Sequence, residues 1–278
     1  MVSSAPAPEK QPADQRSNEQ TGNTVPEARY VRLNKCFNLT DWFQVFADGV
    51  GWGAVSDSEM KLMRQNGITA VRLPFNPWLF DSSRRSTAAI NATLVNLDNA
   101  IDLLIANNLT VVLDAHDVNG GVSLDSEAAI VRFIQTWSML AARYTNRNPD
   151  SLLFEVMNEP GDAFPTASWS AIQIRVLDAI RAAAPQHTIV VTSNSSSFRS
   201  IVGMPLVADS NVIYTVHFYD PMLFTHQGAD WVSSTPWLAT FSGLDYPPYM
   251  PSVLTKLAAS SDPAYSACLL YTSPSPRD

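Results

Sequence analysis

Six short runs of β-branched and aliphatic residues recur along the chain, and helical patterns separate them. The runs are Val31–Leu39, Ile68–Pro74, Leu109–His116, Ser151–Asn158, His187–Thr192 and Asn211–His217. Nearly continuous apolar strands are typical of a parallel sheet that is buried on both faces. Their spacing of roughly 25–42 residues is the length of a strand–helix–strand unit. The pattern therefore predicts an α/β fold built on a parallel sheet.

The segments between these runs carry one apolar face each. Ser56 and Glu59 have the spacing of a capping box, and Gly67 follows as a stop signal. Apolar residues then recur at helical spacing in three later segments. These residues are Leu94, Leu97, Ile101, Leu104 and Ile105, then Ile130, Phe133, Ile134, Trp137 and Leu140, and then Trp169, Ile172, Val176 and Ile180. We interpret all three faces as core packing.

Strands that are each followed by a helix or a long loop favour a (β/α)8 TIM barrel. A doubly wound open sheet is the alternative, but it usually carries a glycine-rich turn after its first strand, and the sequence contains no G-x-G-x-x-G. After Tyr219 no further strand-like run occurs. Residues 220–250 are predicted to be a long aromatic loop and Pro251–Ser260 one helix. We therefore expect an incomplete barrel with about six βα units, the last two being missing.

The two ends of the chain are predicted to lie outside the barrel. Residues 1–28 are rich in Pro, Ser, Gln, Glu and Ala and contain no aromatic residue, so they are predicted to be a disordered leader or linker. The last residues, CLLYTSPSPRD at 268–278, match one translated frame of a common transposon-based sequencing adapter. We interpret them as a non-native tail, which leaves 29–267 as a partial TIM-barrel catalytic domain. No signal peptide pattern opens the chain.

Charge and cysteine content exclude several other classes of protein. The 26 acidic and 18 basic residues give a net charge of -8, which disfavours nucleic acid as a partner. No apolar run reaches the ~18 residues of a membrane span. The two cysteines make no disulfide framework.

Polar residues gather where the predicted strands end. Arg72 lies near the end of the second strand, and His116 ends the third. Asn158, Glu159 and Pro160 end the fourth, and His217 and Tyr219 end the sixth. In barrels of this type the chemistry lies at the carboxyl ends of the strands. Each residue also has a purely structural interpretation, and Glu155, four residues before Glu159 and on the same face, is a candidate ion-pair partner for Arg72.

In this order, these strings resemble glycoside hydrolase family 5, the cellulase family, from about Val31 to about Pro251. The resemblance rests on Asn38–Phe43, Val71–Pro74, Leu113–His116, Phe154–Pro160 and Val216–Pro221. The most specific string is Phe-Glu-Val-Met-Asn-Glu-Pro at 154–160. The resemblance implies a (β/α)8 barrel that cleaves a β-1,4-linked glycan with retention of configuration.

The resemblance also implies a role for each candidate residue. Glu159 matches the general acid/base, and Asn158 matches the residue that hydrogen-bonds the sugar 2-hydroxyl. Arg72 and Tyr219 match the pair that orients the nucleophile and favours its ionised form. His116 and His217 match residues that flank the cleaved bond.

The chain departs from the family at the nucleophile, which is a Glu at the end of the seventh strand. Glu159 is the last glutamate of the chain, and none of the aspartates after it ends a β-branched strand. Retaining glycosidases need two carboxyl groups about 5–5.5 Å apart. We therefore expect this chain to lack the nucleophile and to be inactive.

Two other functions stay open at this point. A metal-dependent barrel hydrolase would use Asp114, His116, Glu159 and His217 as ligands, although no H-x-H or H-E-x-x-H occurs. A non-catalytic carbohydrate-binding barrel is the second alternative. Trp42, Trp231 and Trp237 are candidates for stacking on sugar rings or, equally, for core and loop packing.

The family resemblance also implies the partners and the location. The expected partner is a β-linked polysaccharide or oligosaccharide, with no nucleic acid, no membrane, no cofactor and no metal. The full-length protein is expected to be a monomer. Polymeric glycans lie outside the cell, so a secreted or periplasmic location is expected.

Overall fold

The computed structural model describes residues 24–44, 54–117, 124–161, 166–232 and 235–244. The chain divides into two compact units between Val216 and His217. The predicted tail at 268–278 and the predicted helix Pro251–Ser260 lie outside the described residues.

Within the described residues, six strands form one sheet in which spatial order follows chain order. Asn38 lies opposite Arg72, and Asp114 lies opposite Glu155, in the parallel ladders that join the first five strands. The strands are β1 Cys36–Asn38, β2 Ala70–Phe75, β3 Thr110–Ala115, β4 Leu152–Glu155, β5 Ile189–Ser197 and β6 Val212–His217. A doubly wound sheet reverses its strand order at a switch point. No reversal occurs in these strands, so the predicted incomplete (β/α)8 barrel is confirmed.

Helices follow most of the strands. They are α1 Glu27–Val31, α2 Asp57–Gln65, α3 Thr87–Ala106, α4 Glu127–Tyr144, α5 Thr166–Ala183, α6 Phe198–Ile201 and α7 Met222–Thr225, with 3-10 helices at Pro77–Phe80 and Pro236–Thr240. The predicted capping box is present, since Ser56 accepts from the backbone of Glu59 and Glu59 accepts from the backbone of Ser56. Gly67 follows in the left-handed region at φ +76°. That conformation favours glycine at the stop position.

The sheet has a different apolar layer on each of its faces. Val71, Leu73 and Phe75 of β2 join the main core between the sheet and the helices. The opposite face contributes Val112, Leu153 and Val190 to a small inner cluster, against which Leu33 and Ile213 pack. This alternation follows from the two-residue period of a strand. It leaves the inner face of the sheet free to carry polar side chains near the strand ends.

Trp137 of α4 is fully buried and lies at the centre of several contacts in the main core. Its ring meets the edges of Phe75 and Phe154 at centroid distances of 5.5 Å and 5.8 Å. Its indole nitrogen donates to the carbonyl of Val156 at 2.9 Å, so the polar atom is satisfied. One side chain therefore joins α4 to β2 and to the end of β4, and the predicted core faces of α3, α4 and α5 are confirmed.

Among the described helices, α3 is long and apolar enough to cross a membrane. Its apolar face is buried in the main core, through Ile90, Leu94, Leu97, Ile101 and Leu104. A core helix of a globular domain passes the same test of length and composition.

The first predicted strand is wrong in its extent. The segment Val31–Leu39 contains only the three-residue strand β1, and Val31 ends the helix α1. Helix α1 starts at Glu27, so it crosses the predicted boundary at residues 28 and 29. Arg29 explains the helix, because its buried side chain donates to Asp150 and Thr188. Of the predicted leader 1–28, the helix includes only Glu27 and Ala28, and residues 1–23 lie outside the described residues.

The described part of the second unit, residues 217–232 and 235–244, contains two short helical turns where the sequence predicted a long loop. These turns are α7 and the 3-10 helix Pro236–Thr240. Phe241 and Leu244 form a small apolar cluster with Leu223, Phe224 and Trp237. The side chain of Gln227 bonds both the N–H and the carbonyl of Leu244, which closes this segment on itself.

Candidate active site

A polar cluster lies on the inner face of β2, β3 and β4 near their carboxyl ends. Arg72 comes from β2, Asp114 from β3 and Glu155 from β4. The ladder continues past the ends of the strands, because His116 donates its N–H to Phe75 and Asn158 donates its N–H to Ala115, both at 2.8 Å. Backbone pairing therefore sets the height at which each side chain leaves the sheet.

Arg72 is the centre of the cluster. Its Nε and Nη2 donate to the two oxygens of Glu155 at 2.8 Å and 2.9 Å. The same Nη2 lies 2.9 Å from Oδ1 of Asn158 and 2.9 Å from Oδ2 of Asp114. Nη1 donates to Oδ1 of Asn38 at 3.3 Å. This is the ion pair with Glu155 that the structural interpretation of Arg72 anticipated, extended by three further partners.

The two carboxyl groups of the cluster are removed from solvent. Asp114 is 0% exposed and Glu155 is 3% exposed. A buried charge is tolerated only when it is paired and hydrogen-bonded. One guanidinium faces both groups, and its planar fork suits bidentate pairing with Glu155.

His116 joins the cluster on the side away from Arg72. Its Nδ1 lies 2.9 Å from Oδ2 of Asp114, and its Nε2 lies 3.1 Å from Nδ2 of Asn158. The side chains of Arg72, Asp114, His116 and Asn158 therefore form a closed hydrogen-bonded ring, and Glu155 is joined to it through Arg72. We call these five side chains together the strand-end ring.

Glu159 follows the strand-end ring directly in sequence. Its backbone has φ +34°, a region that non-glycine residues populate sparsely. Pro160 is buried, and Gly161 donates its N–H to the carbonyl of Asn194 at 2.7 Å. The turn is therefore held between the ends of β3 and β5, and the side chain of Glu159 is exposed. Strained backbone that the surroundings fix in this way occurs often at functional sites.

Three of the predicted site residues, Arg72, His116 and Asn158, thus lie in one ring. His217 and Tyr219 lie in the second unit, where their rings are 6.1 Å apart. The ring of Tyr219 also lies 5.1 Å from that of His226. Their predicted place beside Arg72 stays a prediction.

Asn38 was not predicted as a site residue, and Asp114 was predicted only as a ligand of the alternative metal site. Asn38 contacts Arg72, and Asp114 joins Arg72 to His116. A signal was present for both, since Asn38 ends β1 and Asp114 precedes His116 by two residues on the same face. Of the three candidate stacking residues, Trp42 is buried against Phe43 and is a core residue.

Cys36 lies on the face of β1 that carries Asn38. Burial raises the pKa of its thiol to about 11, while Arg72 lowers the pKa and Glu155 raises it, although the residue as a whole is exposed. Since the thiolate is the reactive form of cysteine, this thiol is a poor nucleophile near neutral pH.

The alternative metal site was also predicted from residues of this cluster. Within the part of the chain that the structure describes, no three His, Cys, Asp or Glu side chains are grouped so as to hold a metal ion. Oδ2 of Asp114 instead meets two nitrogen donors, Arg72 and His116.

A polar cluster at the carboxyl ends of parallel strands defines the class of barrel proteins whose functional site lies at that rim. The sequence profile of the cellulase family, glycosyl hydrolase family 5, matches residues 33–243. The chain belongs to this family.

Curated relatives carry the names of endoglucanases. Endoglucanase 3 of Fibrobacter succinogenes is 28% identical over 242 residues, which cover 81% of this chain and 36% of that protein. Endoglucanase C of Acetivibrio thermocellus is 26% identical over 216 residues, which cover 73% of this chain and 62% of that protein. The chain thus spans less than two thirds of the length of either relative.

Solved structures share the fold. Cel5A of Thermotoga maritima, in a mutant form with a cellobiose substrate, gives a TM-score of 0.68 at 24% identity, covering 76% of this chain and 72% of that one. A hyperthermophilic endo-β-1,4-glucanase in complex with substrate gives a TM-score of 0.66 at 24% identity, covering 74% and 66%.

Proposed function

We propose that the chain carries the acid/base half of a retaining endo-β-1,4-glycanase that acts on β-glucans by double displacement. The observation that carries the proposal is the strand-end ring, which lies directly before Glu159 at the end of β4. Membership of the cellulase family supports a β-glucan as the substrate.

Glu159 is the general acid/base of the proposed reaction. It protonates the departing glycosidic oxygen in the first step and removes a proton from water in the second. The fixed turn at Glu159 supports this role, because a carboxyl group that acts on one bond must be held in one place. Asn158 directs an amide N–H at the sugar 2-hydroxyl, and His116 supports Asn158 from behind.

Arg72 and Tyr219 are proposed to orient the nucleophile. The positive charge of Arg72 is already paired with the carboxyl groups of Asp114 and Glu155, so its attraction for a third carboxylate is weak. Arg72 therefore acts on the nucleophile chiefly as a hydrogen-bond donor through Nη1, whose contact with Asn38 is long at 3.3 Å. His217 and Tyr219, in the second unit, are proposed as further substrate-binding residues.

The nucleophile itself is proposed to be absent from this chain, since no glutamate follows Glu159. Without it the covalent glycosyl-enzyme cannot form. The expected result is that the purified 278-residue chain binds β-1,4-linked glucose oligosaccharides but releases at most a trace of reducing sugar from soluble β-glucan.

Two measurements test the proposal. NMR titration with cellotetraose should show binding that Asn158→Ala and His116→Ala weaken, while Glu127→Gln on the surface of α4 leaves it unchanged. Absence of binding to the wild-type chain would overturn the proposed site. Turnover by the wild type that Glu159→Gln abolishes would keep Glu159 as acid/base and overturn the missing nucleophile.

Partners and location follow the same proposal. The substrate is a β-linked polysaccharide or an oligosaccharide derived from it. The full-length protein is proposed to be a monomer, and a secreted or periplasmic location fits a polymer that lies outside the cell.

A further inference from the structure

The donor and the acceptor of each hydrogen bond in the strand-end ring can be assigned from the chemistry of its members. Arginine carries only donors, so the atom of Asn158 that lies 2.9 Å from Nη2 of Arg72 must be the amide oxygen. The amide nitrogen then faces His116 and donates to Nε2 at 3.1 Å. Because Nε2 accepts, the proton of the neutral ring lies on Nδ1, which donates to Oδ2 of Asp114 at 2.9 Å. The position of Arg72 therefore assigns both the amide orientation of Asn158 and the tautomer of His116.

The two buried carboxyl groups contribute to this order in unequal ways. Glu155 uses both oxygens on Arg72 and fixes the plane of the guanidinium. Asp114 uses only Oδ2, and its buried Oδ1 has no hydrogen-bond partner among the described residues. An amide at 114 can keep an acceptor in the place of Oδ2, whereas an amide at 155 must turn a donor toward Arg72.

We propose that Glu155 is a positioning residue that acts through Arg72 to hold Asn158 with its N–H donors, rather than its oxygen, turned away from the guanidinium toward His116 and the ligand. Asn158 has two N–H groups, of which His116 takes one. The second is the group that meets an acceptor oxygen on the sugar. The contact between Asn158 and a sugar rests on the function proposed above, whereas the arrangement of donors and acceptors in the strand-end ring does not depend on it.

Loss of the contact between Glu155 and Arg72 is expected to change one particular hydrogen bond, the one between Asn158 and His116. If Glu155 no longer fixes Arg72, the amide of Asn158 is free to rotate by half a turn. Its oxygen then faces His116, which must carry a proton on Nε2 to donate to it. A change at Glu155 is thus expected to appear as a proton on Nε2 of His116, three hydrogen bonds away through Arg72 and Asn158.

The first measurement uses the wild-type chain without any ligand. Heteronuclear NMR of the imidazole rings reports which nitrogen of each of the four histidines carries the proton, and His116→Gln assigns the signal. The expected result is a ring protonated on Nδ1 and unprotonated on Nε2 at neutral pH. A wild-type His116 that is protonated on Nε2 overturns the proposal without any variant at Glu155.

The second measurement compares matched amide substitutions. Glu155→Gln is expected to move the Nε2 signal of His116 into the protonated range and to weaken cellotetraose binding at least tenfold. Asp114→Asn is expected to keep the Nδ1 tautomer, since an amide oxygen takes the place of Oδ2. Glu127→Gln removes an equally bidentate but exposed pair with Arg175 and should leave both readouts unchanged.

The outcomes separate this inference from the proposed function. Equal effects of Glu155→Gln and Asp114→Asn would show that net charge alone matters and would overturn the positioning role. A folded Glu155→Gln chain with an unchanged His116 signal would also overturn it. If the wild-type chain shows the expected tautomer of His116 but binds no glucan oligosaccharide, the positioning role of Glu155 stands and the proposed function is contradicted.

Discussion

His187 is a buried histidine that the proposed function does not use, and it makes stability depend on pH. It is 0% exposed, its ring stacks on Phe154 at 4.9 Å, and neither ring nitrogen has a partner among the described residues. Burial, together with the smaller effect of the positive charges of Arg29 and Arg181, lowers the pKa of His187 to about 4. An imidazole in this place folds only in its neutral form.

The sign of the pH effect follows from the two pKa values. The unfolded chain binds a proton at His187 near pH 6.5, whereas the folded chain does so only near pH 4. The contribution of a neutral His187 is therefore complete above about 6.5 and is lost as pH falls from there toward 4. The loss is at most roughly 3 kcal/mol of unfolding free energy.

The variant His187→Phe isolates this effect, because it keeps a ring against Phe154 and removes the proton site. Urea unfolding at several pH values should show that His187→Phe gains stability relative to wild type as pH falls through the window. Parallel curves for the two proteins would contradict the assignment. The other three histidines are the same in both proteins, so the difference between the two curves reports on position 187 alone.

Arg29 gives a second test at the residue scale. It is buried, and it donates to Asp150 at 2.7 Å, to Thr188 at 2.7 Å and to the carbonyl of Gln186 at 3.1 Å. Arg29→Met should lower the unfolding free energy by roughly 1–3 kcal/mol, because a charged donor is lost and its acceptors are left unpaired. Asp150 is half exposed, which places the expected value below that of a fully buried pair.

The control for Arg29 lies on the next turn of the chain. Arg32 is exposed, so Arg32→Met should change the urea midpoint by little. Arg29→Lys should recover only part of the loss, since an ammonium cannot reproduce the guanidinium fork. Equal midpoints for Arg29→Met and Arg32→Met would show that α1 is not held by Arg29.

At the scale of single elements, the capping box of α2 stabilises the start of the helix through contacts between residues only three apart in the sequence. Oγ of Ser56 accepts from the N–H of Glu59, and the Glu59 carboxylate accepts from the N–H of Ser56 at 2.8 Å. Ser56→Ala should cost about 0.5–2 kcal/mol in thermal or urea unfolding. Ser56→Thr, which keeps the hydroxyl, should cost less, and equal losses for both variants would show that packing at this position, rather than the cap, is responsible.

Local patterns of this kind are also where the sequence was most informative. The sequence predicted the apolar faces of α3, α4 and α5 and the strands β2 to β6, because the periodicity of a helix or a strand depends on residues close together in the sequence. Strand β1 and helix α1 were not, because Arg29 is held by Asp150 and Thr188, which lie far away in the sequence. The same reason explains the site. Arg72, His116 and Asn158 were predictable from strand ends, whereas the role of Asp114 depends on contacts across three strands.

Across the sheet, polar clusters occupy both ends of the strands and differ in kind. The strand-end ring lies at the carboxyl ends, next to a strained turn. At the amino ends, Arg29 pairs with Asp150, and Arg181 pairs with Asp209 at 2.8 Å while donating to the carbonyl of His187 at 2.7 Å. In (β/α)8 barrels the carboxyl ends carry function and the amino ends carry stability. We therefore expect substitutions of Arg29 to change unfolding without changing the tautomer of His116.

At the scale of the whole chain, the sheet presents two outer strands within the described residues, β1 and β6. Phe37 of β1 is 52% exposed, and Val216 of β6 is 41% exposed. An outer strand with apolar side chains is a template for pairing with another chain, because its backbone donors and acceptors still need partners. The purified chain is therefore expected to self-associate as its concentration rises.

A lysine on the outer strand tests this expectation, since charge is how natural sheets protect their edges. Phe37→Lys should lower the weight-average mass measured by sedimentation over a range of concentrations. Leu206→Lys is the matched control, because Leu206 is 87% exposed but belongs to no strand. If Leu206→Lys reduces association as much as Phe37→Lys, general surface hydrophobicity is the cause. A wild-type chain that stays monomeric and unfolds in one cooperative transition would show that its edges are already protected.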